Sequence, residues 1–160
     1  MTDRPVVPSE WPDLAGRIED RVHRFPIRIY YEDTDFSGVV YYANYLRYCE
    51  RGRSDYLRLI GVEHHKLYDA LEATDRLGFA IKDLVSSFVK PARIDDVIEV
   101  HTRFIAVKGA RFELGQDIYR QDDLLFSATL TAVVIDGNGR PRRLPVDMKQ
   151  KFCELVIAKS

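Results

Sequence analysis

The chain has 160 residues, 46% of them hydrophobic and 31% charged, which excludes a disordered segment and leaves room for one packed domain rather than two. Its 24 Lys and Arg against 25 Asp and Glu give a formal charge of -1, so no global field draws it to nucleic acid and any anionic ligand has to be held by a local basic cluster. Cys49 and Cys153 match neither a CxxC pair nor a ligand spacing, no apolar h-region opens the chain and no apolar run approaches the roughly 20 residues of a membrane span, so the expectation is a cytoplasmic protein with no cofactor, metal or membrane span.

Residues 1–22 read as an extension, punctuated by Pro5, Pro8 and Pro12, with Leu14-Ala15-Gly16-Arg17 as room for one turn of helix. A single domain is expected over 23–160. Apolar and polar residues alternate over 25–31, which predicts a first strand, and the acidic residues, Ser37 and Gly38 that follow predict a loop over 32–38. Tyr45, Leu46, Cys49, Tyr56, Leu57 and Ile60 then recur at helical spacing, which predicts a long helix over about 42–60, with Gly61 placed for a left-handed C-terminus. Gly52 inside that helix costs about 1 kcal/mol against Ala, and close approach of another backbone is the expected reason for it.

A shorter helix is expected over 63–73. Beyond it the chain becomes strand-rich, with strands predicted over 79–89, 97–107, 112–120 and 124–135, separated by the turns Lys108-Gly109-Ala110 and Gln121-Asp122-Asp123. Short connections favour antiparallel neighbours. Pro145 introduces a last helix over 146–157. One strand, one long helix and four more strands is an α+β order. The economical architecture is an antiparallel five-stranded sheet wrapped around a long central helix, which leaves Arg47, Glu50, Arg51 and Arg53 to find an edge or a partner.

The run Tyr30-Tyr31-Glu32-Asp33-Thr34-Asp35-Phe36-Ser37-Gly38-Val39-Val40-Tyr41-Tyr42-Ala43-Asn44-Tyr45, followed by Tyr48-Cys49-Glu50-Arg51-Gly52-Arg53, resembles the signature of hotdog-fold thioesterases of the 4-hydroxybenzoyl-CoA thioesterase type. It is most similar to the branch associated with the Tol-Pal cell-envelope system, and the match runs from about Arg28 to Leu155. Tyr42 stands where members of that branch often carry His, and in this it is similar to the hydroxybenzoyl-CoA enzymes; the subgroup and its acyl preference stay open. The resemblance implies hydrolysis of acyl-CoA, or of acyl groups on a carrier protein, by a homotetramer built from hotdog dimers.

Thioester hydrolysis needs an activated oxygen nucleophile and stabilisation of the negative charge that develops on the carbonyl oxygen. The resemblance gives Asp35 the first task, as nucleophile or as general base, and the backbone N–H of Tyr42 the second, at the positive end of the following helix. A lone loop Asp is more often a solvated carboxylate or a cap; the motif around Asp35 argues against that reading. Gly38 and Tyr41 are expected in the substrate-binding segment; Tyr41 and Tyr42 either shape the acyl pocket or are simple core, as aromatic residues at a helix entry are just as often. Glu32 and Asp33 read as rim charges. Glu50 is the runner-up catalytic carboxylate, because a different hotdog thioesterase branch uses a helical one; its plain reading is a pair with Arg47 or Arg53 at helical spacing, or a subunit contact.

CoA brings phosphates, so basic residues are expected at the mouth of the site. The resemblance assigns Lys108 to nucleotide contact, with Arg111 beside it; Lys90 and Arg93 flank Pro91, and Arg140, Arg142 and Arg143 form a further cluster. His64, His65 and His101 have no third ligand at a useful spacing, so no metal site is read. Two other functions compete. A hotdog dehydratase needs a His with a carboxylate, and none is near Asp35 in sequence. A non-catalytic acyl-binding or scaffold protein of the cell-envelope machinery has only the branch association in its favour. No GxSxG is present for a serine hydrolase.

Overall fold

The alternating segments form strands and the 3.6-period segment forms the helix in the computed structural model, which describes residues 14–157. In chain order the elements are β1 (Arg17–Glu19), β2 (Val22–Arg28), α1 (Asn44–Leu59), α2 (His64–Tyr68), β3 (Gly78–Phe88), β4 (Val97–Lys108), β5 (Arg111–Arg120), β6 (Asp123–Ile135) and α3 (Val146–Leu155). The sheet is antiparallel throughout, in the order β1-β2-β4-β5-β6-β3. It is the hotdog arrangement, an α+β fold, with six strands where five were expected.

The sixth strand is β1, inside the stretch read as an extension. It pairs with β2 across a two-residue turn in which Asp20 and Arg21 both have positive φ, 52° and 67°. Such turns usually advertise themselves with Gly or Asn, and neither is present, so the strand was not legible. Leu14 to Gly16 form no helical turn; the backbone N–H of Gly16 instead donates to Asp55 Oδ2 at 2.7 Å. Pro5, Pro8 and Pro12 lie outside the described residues.

Residues Tyr45, Tyr48, Cys49, Gly52, Tyr56 and Leu57 of α1 are buried, spaced three or four apart so that they form the stripe laid on the sheet. A Cβ added to Gly52 would stand 2.9 Å from Val100 Cγ1 and 3.3 Å from Thr102 Oγ1, which is the close approach the sequence suggested. Gly61 ends the helix at φ +91°. Register shifts at Ile81/Asp83, Phe104/Ala106 and Ile118/Tyr119 bend the sheet around the helix. Two apolar clusters result: one joins Tyr45, Tyr48 and Cys49 to Ile98, Ile118 and Phe126, the other joins Tyr56 and Leu57 to Phe104, Phe112 and Phe152 of α3. The outer face of α1 stays open in the protomer, with Arg47, Glu50, Arg51 and Arg58 exposed, while Arg53 reaches inward to Gln116 Oε1 at 2.8 Å.

Candidate active site

Asp35 opens a four-residue turn. Gly38 N–H donates to the Asp35 carbonyl at 3.0 Å, Asp35 N–H donates to the Val39 carbonyl at 2.9 Å, and Gly38 adopts φ +79°, as Asp at the first and Gly at the fourth position of such a turn favour. Ser37 donates both its hydroxyl and its N–H to Asp35 Oδ1. These two bonds, the hydroxyl's first, hold the Asp35 carboxyl below the usual carboxylate range, so at neutral pH it is an exposed, oriented anion.

The same backbone pattern recurs at Asp136-Gly137-Asn138-Gly139, with Gly139 N–H on the Asp136 carbonyl at 3.0 Å and Asn138 N–H on Asp136 Oδ1 at 2.8 Å. The turn alone therefore marks no catalyst; its surroundings set the two turns apart. Val39 bridges to Arg93, Val40 N–H donates to the Ala92 carbonyl at 2.9 Å, and the chain then turns into α1. Ala43, the cap residue of α1, offers no side-chain acceptor; Asn44 N–H is held by the Tyr41 carbonyl at 2.9 Å and Leu46 N–H by the Ala43 carbonyl at 3.2 Å, while Tyr42 N–H, just ahead of the cap, donates to no backbone acceptor among the described residues. An uncapped helix start is a ready site for an oxyanion.

Beside it lies a cleft of about 270 Å³ lined by Val40, Tyr42, Tyr45, Phe88, Val89, Lys90 and Pro91. Its wall is an aromatic box: Tyr45 stacks on Phe126 at 5.3 Å between centroids, and Phe88 meets Phe126, Tyr45 and Tyr42 edge-on at 5.2, 5.7 and 6.1 Å. The Tyr45 hydroxyl accepts the buried Ala92 N–H at 3.0 Å, which ties the box to the loop that carries Arg93. Tyr41 packs edge-on to Tyr42 at 4.9 Å, and its phenol is pushed up by Tyr42 first and, more weakly, by the charge of Asp35.

The structure thus brings together Asp35, Gly38, Tyr41, Tyr42, Lys90 and Arg93. Lys90 is paired with Asp123 at 3.0 Å, and the Lys90 ammonium draws the Asp123 carboxyl down. Lys108 and Arg111 do not join them. They face one another at the β4–β5 turn, beside Ala80 and Val133 and around a separate hollow. From Ala80 to Phe88 the strand runs roughly 25 Å at about 3.3 Å per residue, so within one protomer these two cations sit at the far end of the sheet. Arg142 is a strap, its guanidinium on the Asp75 carbonyl at 3.2 Å, and Glu50 pairs with Arg53.

Sequence reasoning missed Ser37 as the anchor of Asp35, although Asp followed two positions later by Ser is the signal for it. It also missed Phe88 and Phe126 as cleft walls, and Tyr45 was legible only as core. A third omission is the pair His23 Nε2 and Asp55 Oδ2, 2.7 Å apart. This is a His with a carboxylate, but His23 is 0% exposed and Asp55 5%, so no substrate reaches it and it serves packing. Among the described residues no group of three or more His, Cys, Asp or Glu could hold a metal ion, and no helix is long and apolar enough to cross a membrane.

A curved antiparallel sheet on one long helix, with an acid-bearing turn at the helix entry, defines the hotdog thioesterase class. The chain belongs to the Thioesterase-like superfamily, whose model matches residues 30–154. It is 36% identical over 137 residues to the acyl-CoA thioesterase YbgC of Haemophilus influenzae, covering 85% of this chain and 98% of that one. It is also 36% identical to the acyl-CoA thioester hydrolase YbgC of Escherichia coli O6:H1, over 81% of this chain and 94% of the relative. The crystal structure of a probable thioesterase from Bartonella henselae superposes with TM-score 0.74 at 40% identity, covering 78% of this chain and 99% of that one.

Proposed function

We propose that the protein hydrolyses acyl-CoA thioesters, with Asp35 as the reacting carboxylate and the N–H of Tyr42 as the oxyanion donor. The observation that carries this is a deprotonated, hydrogen-bond-oriented carboxylate on the turn that runs directly into Val40 and Tyr42 of an apolar cleft wall, next to a helix start with no side-chain cap. The acyl group occupies the aromatic cleft and the carbonyl oxygen points to the helix. An Asp35 oxygen then attacks the carbonyl carbon, the C–S bond breaks, CoA leaves as thiolate, and water cleaves the mixed anhydride. In the alternative route Asp35 takes the proton from a water that attacks directly, and the products are the same free acid and thiol. A carrier-protein pantetheine presents the same thioester and fits the same open cleft.

The reading includes assembly. β3 is an edge strand that exposes Ile81, Val85 and Phe88, a long apolar edge of the kind that pairs with another chain. Antiparallel pairing of two copies through β3 sets the Phe88 end of one against the Gly78 end of the other. Arg111 and Lys108 of the partner subunit then lie three and four strand spacings, roughly 14–19 Å, from the β3 strand that borders the cleft, within reach of the phosphates of an extended CoA. Two such dimers give the homotetramer that the family resemblance implies.

The test is thiol release from short-chain, long-chain and hydroxybenzoyl-CoA thioesters by native protein and Asp35→Asn. Asn keeps the shape and an acceptor for Ser37, so the variant melts as native and loses at least about a hundredfold in kcat. Native-like turnover by Asp35→Asn removes Asp35 from the chemistry; no turnover of any thioester by native protein removes the proposed activity.

A further inference from the structure

A second pocket, of about 140 Å³, is walled by Glu32, Asp33, Asn44, Arg47, Tyr48 and Arg51, and shares none of these with the aromatic cleft. Asn44, Arg47, Tyr48 and Arg51 follow one another at i, i+3, i+4 and i+7, so they form a single stripe of α1. That stripe faces the 3-10 turn Tyr31–Asp33. Asn44 Nδ2 donates to the Asp33 carbonyl at 2.9 Å, which fixes the two walls against each other.

Three donors point to a ligand. Among the described residues the Arg47 side chain makes no hydrogen bond or ion pair, and the guanidinium of Arg51 only stands over the Tyr48 ring, 5.9 Å from its centroid. Tyr48 is 1% exposed, yet its hydroxyl has no hydrogen-bond partner. Buried phenols are nearly always bonded. Burial and the nearby Asp33 carboxylate keep the proton on this one, so it is available as a donor. Two guanidiniums a helical turn apart and a phenol O–H make a set suited to a tetrahedral oxyanion.

The carboxylates select among such anions. Asp33 Oδ2 accepts Tyr30 N–H at 2.8 Å and its carboxylate also faces the Tyr48 hydroxyl, while Glu32 is exposed at the rim. Sulfate would set bare oxygens against both. Inorganic phosphate near neutral pH keeps a P–OH that donates to a carboxylate, turning a repulsion into a bond, and a phosphate monoester does the same in its monoanionic form, below its second pKa of about 6.

We propose that this pocket is a phosphate site: Arg47 and Arg51 clamp the phosphoryl oxygens, the Tyr48 hydroxyl donates a third bond, and Asp33 or Glu32 accepts from the P–OH. The site goes beyond the thioesterase reading and stands without it, since the contacts require no reaction. The phosphate is either inorganic phosphate or the phosphate monoester of a nucleotide.

The test is isothermal titration calorimetry of the full-length protein with inorganic phosphate and, separately, sulfate, at constant ionic strength in a phosphate-free buffer. The expected result is saturable phosphate binding, one per protomer, with sulfate at least tenfold weaker. Binding is lost in the Arg47→Gln/Arg51→Gln double variant and weakened at least threefold in Tyr48→Phe, and it is unchanged in Lys149→Gln on α3; thermal melts show that all variants fold. Absence of saturable phosphate binding, sulfate binding as tight as phosphate, or variants at Arg47, Arg51 or Tyr48 that bind as native would each overturn the proposal. The source of the phosphate follows from a second titration with adenosine 3′,5′-bisphosphate. Displacement of inorganic phosphate by this nucleotide assigns the site to a nucleotide monoester; phosphate that stays bound assigns it to the free ion.

Discussion

Gly38 and Gly139 offer a matched pair. Both have a left-handed backbone, φ +79° and +78°, and both have no atom within 4 Å of the position a Cβ would take. Each closes a turn opened by an Asp, with its N–H on the Asp carbonyl at 3.0 Å. An Ala at either site meets no clash, and its cost is the left-handed conformation alone, about 1 kcal/mol. For a chain of this size that lowers Tm by about 2–4 °C, and with no shared partners the double variant loses the sum. Activity separates them. Gly38→Ala loosens the turn that aims Asp35, and a misplacement of about 1 Å at a reacting group costs up to roughly a hundredfold; Gly139→Ala leaves Asp35 untouched. Calorimetric melts beside acyl-CoA thiol-release kinetics should therefore give equal Tm losses, with kcat/KM falling only for Gly38→Ala. Equal loss of activity in both variants would refute the placement of the chemistry at the Asp35 turn. A Gly38→Ala protein with native Tm would refute the conformational argument.

Val85, 74% exposed on the edge strand β3, carries the assembly reading: Val85→Lys should leave the protomer folded and reduce the sedimenting mass, and a native protein that already sediments as a single chain would sink that reading. Tyr45→Phe removes the acceptor of the fully buried Ala92 N–H, a loss of about 1–3 kcal/mol visible as a lower urea midpoint; an unchanged midpoint would show that the tie to the cleft loop holds nothing. His23 is driven below its ordinary 6.5, first by burial and against the pull of Asp55. Between that lowered value and 6.5 the unfolded chain binds the proton more readily, so stability should rise with pH through this window and level off above 6.5. Urea unfolding at pH 5.5 and 7.5 should show the slope in native protein and a flatter one in His23→Phe; an equal slope in both assigns it to other groups.

Much of the fold was legible because its determinants are local. Two-residue alternation marked β3 to β6 to within a residue or two, and the three-and-four spacing of Tyr45, Cys49, Tyr56 and Leu57 marked both α1 and its buried face. The Asp35-to-Gly38 turn was readable from residue types alone, since Asp, Ser and Gly hold such turns through their own backbone. What escaped is what lacked the usual local sign. The β1–β2 turn uses Asp20 and Arg21 where Gly or Asn would have announced it. The cleft wall joins Tyr45, Phe88 and Phe126, and the buried His23–Asp55 pair joins β2 to α1.

By itself, then, the amino-acid sequence determined most of the elements, the family and the motif that singles out Asp35 as a candidate, because hydrophobic period, turn chemistry and motif are written in neighbouring residues. Only the tertiary structure decided which side chains share a site. The strand order β2-β4-β5-β6-β3 places Lys90 and Arg93 with Asp35 and sends Lys108 and Arg111 to the opposite end of the sheet. That separation is set by strand pairing and strand length, which carry no trace in the spacing of the basic residues along the chain.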